Sequence, residues 1–168
     1  MPASGGSAVS IRPVTLDDLE VLVDIYLDTA IHHAAIDPEV FRVPARPEAA
    51  ARLRRRVEER GETAEYVGAI LDGRMVGSAS IHVDDPTHPG SMARAVRSAE
   101  FGVSVTAEYR GMGIGRALIR HLEDWAADHA VERITLNVSE ANPGAIRLYR
   151  ELGYREFDRA MLKRIQPR

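Results

Sequence analysis

Arg110-Gly111-Met112-Gly113-Ile114-Gly115-Arg116 stands between an apolar run, residues 99–105, and a segment whose Ile114, Ala117, Leu118, Leu122, Trp125 and Ala126 repeat at helical spacing up to about His129. The order is strand, glycine-rich turn, helix. Glycines let the backbone turn tightly and approach a ligand without Cβ interference, and the first amides of a helix lack intrahelical acceptors. Together these make an anion cradle. A glycine-rich turn that holds no ligand fits the same position. A nucleotide-hydrolysing loop needs Gly-Lys-Ser/Thr at its end, which is absent here. A dinucleotide fold needs Gly-x-Gly-x-x-Gly/Ala, whereas Gly111 leads to Arg116 and Gly113 to Leu118, and the next strand ends on Asn137 rather than an acid.

Upstream of the turn, residues 66–71 and 75–83 are apolar and partly β-branched, and Asp72-Gly73 between them predicts an antiparallel hairpin. Residues 9–12 predict a short first strand. Thr15 with Asp18 predicts a capping box opening a helix whose Leu16, Leu19, Leu22, Val23, Tyr26, Leu27 and Ala30 share one face. Residues 31–46, with Pro38, Pro44 and no clear period, predict a loop. Residues 47–60 predict a second helix with proline in its first turn and Leu53 and Val57 inward. Residues 84–97 predict a long loop. Downstream, residues 133–138 predict a fifth strand. Asn142 at an N-cap, Pro143 in the first turn and Gly153 past the end bracket a helix carrying Ile146, Tyr149 and Leu152. Residues 154–165 predict one or two more short strands. The fold class is α/β (α+β mixed): a central mixed, mostly antiparallel sheet of six to seven strands with helices on both faces.

The 168 residues suit a single domain, expected over 8–168 behind a flexible N-terminus at 1–7. A formal charge of −3 argues against a nucleic-acid partner, which calls for a basic excess. No stretch approaches the ~20 apolar residues of a membrane span, and residues 1–7 lack the pattern of a secretory signal. Cysteine is absent, which removes disulfides, thiolate metal sites and thiol nucleophiles, so a cytoplasmic setting is expected.

In Arg110, Gly113 and Gly115, preceded by the strand through Phe101 and Val105, the sequence resembles the GNAT superfamily of acyl-CoA N-acyltransferases. Leu136-Asn137-Val138, Asn142, Ala145-Ile146, Leu148-Tyr149 and Leu152-Gly153-Tyr154 resemble that family's second signature. Residues 31–47 and 84–97 match no motif, and the tail after Gly153 is shorter than in many relatives. The resemblance implies acetyl-CoA as acyl-donor cosubstrate, no metal, and a small-molecule or peptide amine as acceptor, with homodimers common. It also implies that the fourth and fifth strands splay to admit the pantetheine arm. Main-chain groups of Val103 and Val105 would pair with that arm, and the amides of Arg110, Gly111, Gly113, Ile114, Gly115 and Arg116 would hold the pyrophosphate. Asn142 by resemblance reaches the pantetheine arm, although an N-cap explains it as well.

The implied reaction is direct attack of a neutral amine on the thioester in a ternary complex. A lysine-like amine with a pKa of about 10.4 is almost wholly protonated near neutrality, so a base or water chain is required. Glu100 on the fourth strand is the candidate base, with an ordinary ion-paired strand glutamate as the other reading. Tyr149 resembles the family's general acid toward the leaving thiolate, and a plain core tyrosine is its alternative. The N–H of Val105 would meet the carbonyl's developing charge. A non-catalytic acyl-CoA-binding module and an O-acyltransferase are the competing functions. His82, Asp84 and His88 make a poor metal site, the arginines at 52, 54, 55, 56 and 60 could steer an anionic ligand but read first as a solvated helix face balanced by Glu58, Glu59 and Glu62, and His32 and His33 read as loop residues that could touch the acceptor.

Overall fold

The structure, a computed structural model, describes residues 8–84, 95–158 and 160–164. These divide into two compact units, residues 1–137 and 138–168.

Among the described residues the first unit holds one sheet of five strands in the order β1-β2-β3-β4-β5. They are β1 (Ser10–Pro13), β2 (Ala64–Leu71), β3 (Arg74–Asp84), β4 (Ser98–Val105) and β5 (Arg133–Thr135). All neighbours are antiparallel except β4 and β5. Asp72 and Gly73 both have positive φ, 50° and 76°, as a tight hairpin turn of the primed type requires. Pro13 closes β1, where its missing N–H is harmless at a sheet edge.

Two helices, α1 (Leu19–Ile36) and α2 (Arg46–Glu58), follow β1. A capping box at Thr15 and Asp18 opens the helical segment, through a short 3-10 turn at Leu16–Asp18. Arg12 grips the Asp18 carboxylate with two bonds of 2.8 Å, and with the Thr15 amide this holds the Asp18 pKa down at about 2. Leu19, Leu22 and Val23 of α1 pack with Ala49, Leu53 and Val57 of α2 against Tyr66 of β2. The opposite sheet face is covered by α3 (Ile114–Asp128), which buries Ile114, Leu118, Ile119, Leu122 and Ala126. A Cβ on Gly77 would lie 2.9 Å from Ser104 O and 3.3 Å from Leu118 Cδ1, so glycine in β3 lets α3 sit close.

The second unit contains α4 (Pro143–Glu151). Asn142 Oδ1 accepts from Ala145 N at 3.2 Å, the expected N-cap. At the other end Gly153 adopts φ +94°, with its N–H donating to Arg150 O and that of Tyr154 to Tyr149 O, both at 3.0 Å. This is a Schellman termination, and the T-shaped contact of the Tyr149 and Tyr154 rings, centroids 6.0 Å apart, is the side-chain packing that accompanies it.

Three expectations are corrected. Among the described residues the sheet has five strands, not the six to seven expected, because no strand forms among the described residues of 154–165: an extended segment becomes a strand only where an edge accepts it. β5 stops at Thr135 instead of residue 138. The loop expected from residue 31 begins after Ile36, since Ala34 and Ala35 favour helix and the first proline is Pro38. His32 and His33 are therefore helical. Residues 1–7, His88 and most of the predicted loop 84–97 lie outside the described residues.

Candidate active site

β4 pairs with β3 along its whole length, from Ser98↔Asp84 to Val105↔Gly77, but with β5 only at Ser98, Ala99 and Glu100. Beyond Glu100↔Thr135 the two parallel strands part. Thr106 N donates to Val76 O at 3.0 Å, so residues of the same parity, 100, 102 and 104, aim their main-chain groups at β3. Phe101, Val103 and Val105 aim theirs to the side that β5 has left. The edge expected to accept an extended ligand is thus formed by the end of pairing with β5.

The turn lies just past that edge. A short 3-10 segment, Ala107–Tyr109, leads into it. Gly111 has φ +78° and Gly113 φ +83°, and Gly113 is the N-cap of α3 without a side-chain cap bond. The first intrahelical bond in this turn is donated by Ala117 to Gly113 O, 3.0 Å, so the amides of Ile114 and Gly115 open the helix ahead of it. A Cβ at Gly111 or Gly113 would meet no protein atom within 4 Å, so both glycines border open space. The donor set suits a diphosphate. Arg116 follows in the same helical turn.

Arg110 differs from its neighbours. Its N–H donates to Ala107 O at 3.3 Å, its Nε to Val105 O at 3.0 Å and its Nη2 to Asp28 Oδ2 at 2.6 Å. Asp28 also accepts from Ala107 N at 3.1 Å. The arginine ties the end of β4 and the turn to α1, a role carried by its side chain, and Asp28 is the partner that sequence reasoning missed. An acid 82 residues away on a helix carries no local signal.

Glu100 sits at the last β4–β5 pair, where Asn137 Nδ2 donates to its Oε1 at 3.3 Å. Strand register groups the side chains of this face into rows: Glu100 with His82 and Ala64, Gly102 with Ser80 and Tyr66, Ser104 with Ser78 and Gly68. Tyr66 packs against α1 and α2, which identifies this as the face those helices cover. Gly102 is exposed, and a Cβ there would meet nothing within 4 Å, so the helical cover leaves open space over the middle of β4. His82 lies 3.5 Å from Asp84, and no three-residue metal-ligating group occurs among the described residues. His33 is half-buried against Phe41, with ring centroids 5.0 Å apart, and burial lowers its pKa.

The remaining expected site residues, Asn142 and Tyr149, belong to the second unit. Asn142 Oδ1 is engaged as the N-cap. Burial pushes the Tyr149 hydroxyl pKa up, which keeps it protonated near neutral pH.

Comparison with known proteins bears on this geometry. The model of the family described as acetyltransferase (GNAT) matches residues 27–154. Human N-acetyltransferase 8B is 34% identical over 89 residues, 52% of this chain and 37% of that protein. The chain spans 37% to 47% of the length of the first curated relatives it matches. Among solved structures, a mutant of the BH1408 protein from Bacillus halodurans superposes with a TM-score of 0.83 at 21% identity, covering 94% of this chain and 99% of that one. An aminoglycoside N-acetyltransferase in complex with CoA gives 0.71 at 16% identity, covering 99% and 100%. These likenesses show a shared fold. Among the described residues no helix is long and apolar enough to cross a membrane.

Proposed function

The chain belongs to the GNAT family of acetyltransferases, which use acyl-CoA, and we propose that it transfers an acetyl group from acetyl-CoA to the primary amine of an acceptor by direct attack in a ternary complex. The observation that carries this reading is the junction itself: uncapped amides at the start of α3 adjoin the stretch of β4 that β5 has left.

In this reading the thioester supplies the acyl group. The amides of Gly111, Gly113, Ile114, Gly115 and Arg116 hold the pyrophosphate, and the main-chain groups of Val103 and Val105 hold the pantetheine arm as an added strand would be held. The Val105 carbonyl already accepts from Arg110, which leaves its N–H for the carbonyl oxygen on which charge develops, a donor worth about 3 kcal/mol in such sites. Glu100 takes a proton from the acceptor ammonium, directly or through water, so that the neutral amine attacks, Asn137 orients the Glu100 carboxylate, and the nitrogen sheds its second proton to solvent as the amide forms. As the C–N bond forms and the C–S bond breaks, Tyr149 gives its proton to the departing sulfur. Its raised pKa fits a group that enters the reaction protonated. Asn142, its Oδ1 used in capping, offers Nδ2 to the pantetheine arm.

Calorimetry with acetyl-CoA and with desulfo-CoA tests the donor half, and saturable binding of both is expected. Failure of both to bind ends the proposal. Thiol release over a panel of primary amines then tests catalysis: binding without release on any acceptor favours a sensing module.

A further inference from the structure

The arginines of α2 do not form one solvated face. Residues 52, 54 and 55 are exposed, whereas Arg56 follows buried Leu53 by three positions and turns inward, where its Nη1 donates to Ser80 Oγ at 3.2 Å. Several other arginines of the first unit meet carboxylates, Arg12 with Asp18, Arg60 with Glu65 and Arg110 with Asp28, while the half-buried Arg97 side chain donates to the His129 carbonyl. Half-buried Arg56 makes no ion pair among the described residues, and a serine hydroxyl is its hydrogen-bond partner. Burial disfavours its charged form, and Arg52, one turn back, adds like charge. A guanidinium remains ionised regardless, so this is a partly desolvated positive charge with no ion-pair partner among the described residues, Glu59 acting on it only at longer range, an arrangement that costs stability.

Its position gives that cost a use. Ser80 lies directly opposite Gly102, where the sheet face is open, and diagonally from Glu100, at about 7–8 Å between such positions. The same open patch therefore has a carboxylate at one corner and an unneutralised guanidinium at another. A small molecule with an amine at one end and an oxyanion a few bonds away spans them.

We infer that Arg56 receives an oxyanion, carboxylate or phosphate, carried by the acyl acceptor, so that the substrates of this site are small acidic amines. The inference rests on the acyltransferase reading above and narrows it to a substrate class. Arginine suits the role because its planar fork meets carboxylate and phosphate oxygens in pairs.

Two matched pairs of primary amines test it: β-alanine against β-alaninamide, and O-phosphoethanolamine against ethanolamine. With the full chain and saturating acetyl-CoA, at least one acidic member should exceed its neutral partner in kcat/KM by at least about tenfold, and which pair responds tells carboxylate from phosphate. Arg56→Gln should erase that preference through KM for the acid while acetyl-CoA affinity holds, and Arg56→Lys should restore part of it. Arg56→Gln should also leave Tm unchanged or raised, since it removes an unpaired charge, whereas a structural arginine would lower it. Without acetyl-CoA, the Arg56 Nε–Hε resonance should shift saturably with the preferred acid and not with its neutral partner. Equal rates within both pairs, or a preference that survives Arg56→Gln, overturns the inference and leaves the acyltransferase reading intact. Saturable shifts at Arg56 with no thiol release from any amine would overturn the acyltransferase reading, and the substrate class with it, leaving Arg56 an oxyanion site only, and no shift with either acid would remove Arg56 as the anchor.

Discussion

At its C-terminal end β4 runs into the turn of residues 110–116, and at its middle it exposes Gly102; both places border open space, but they present different chemistry to it. The turn offers main-chain amides, fixed by two glycines at positive φ and by the first residues of a helix. The patch over Gly102 offers side chains, Glu100 and Ser80 from two strands and Arg56 from a helix. Main-chain recognition depends on backbone shape, which a short run of glycines encodes locally. Side-chain recognition depends on which elements meet, and here the contributors span residues 56 to 100. A family can keep the first while varying the second, because the chemistry at the two ends is set by different parts of the chain.

Substitutions at the two ends should part accordingly. The largest effect is expected from Gly113→Val, which should abolish acetyl-CoA binding in calorimetry. The position requires φ +83°, a conformation that costs an ordinary L-residue about 1–2 kcal/mol and a β-branched one more. No protein atom lies within 4 Å of the new Cβ, so the loss would come from backbone shape and from the ligand's own space. Retained affinity would break the contrast by removing the backbone as the reader of the diphosphate.

Tyr149→Phe should lower kcat by on the order of 100-fold or more with little change in acetyl-CoA affinity. The substitution keeps the ring that packs on Tyr154 at the end of α4 and removes the hydroxyl alone. Unchanged turnover would assign Tyr149 to helix termination.

Asp28→Asn should weaken acetyl-CoA binding by roughly threefold to tenfold and leave acceptor KM alone, since it loosens the ties to Arg110 and Ala107 without touching the Gly102 patch. A change in acceptor KM instead would show that the two ends are coupled through α1.

The smallest effect concerns neither end. The Asp18 pKa is lowered by Arg12, so the folded state binds fewer protons there than the unfolded chain does, and the stability it contributes is present above about pH 4 and lost as pH falls toward about 2. Acid titration of unfolding should flatten over that window in Asp18→Asn, with turnover at neutral pH unaffected. No flattening would mean that the Arg12 pair adds nothing to folding.

Local signals account for much of the fold. Asp72-Gly73, the capping box at Thr15 and Asp18, and the Asn142, Pro143 and Gly153 bracket around α4 all appear as read, because each acts within a few residues of itself. The departures share another cause. β5 ends at Thr135 because parallel pairing with β4 stops there, although Leu136 to Val138 would suit a strand by composition. Residues 154–158 form no strand because pairing, rather than propensity, makes one. Arg56 was indistinguishable from the arginines beside it until the helix was laid on the sheet.

The sequence by itself determined the cradle, the hairpin, the helix limits set by caps and glycines, and the family resemblance, since backbone conformation and nearest-neighbour hydrogen bonds follow from adjacent residues. The tertiary structure decided where β4 and β5 part, that Asp28 anchors Arg110, and that Arg56 reaches Ser80 on the sheet face that carries Glu100. Those depend on strand register and helix packing, through which residues distant along the chain share solvent exclusion and charge.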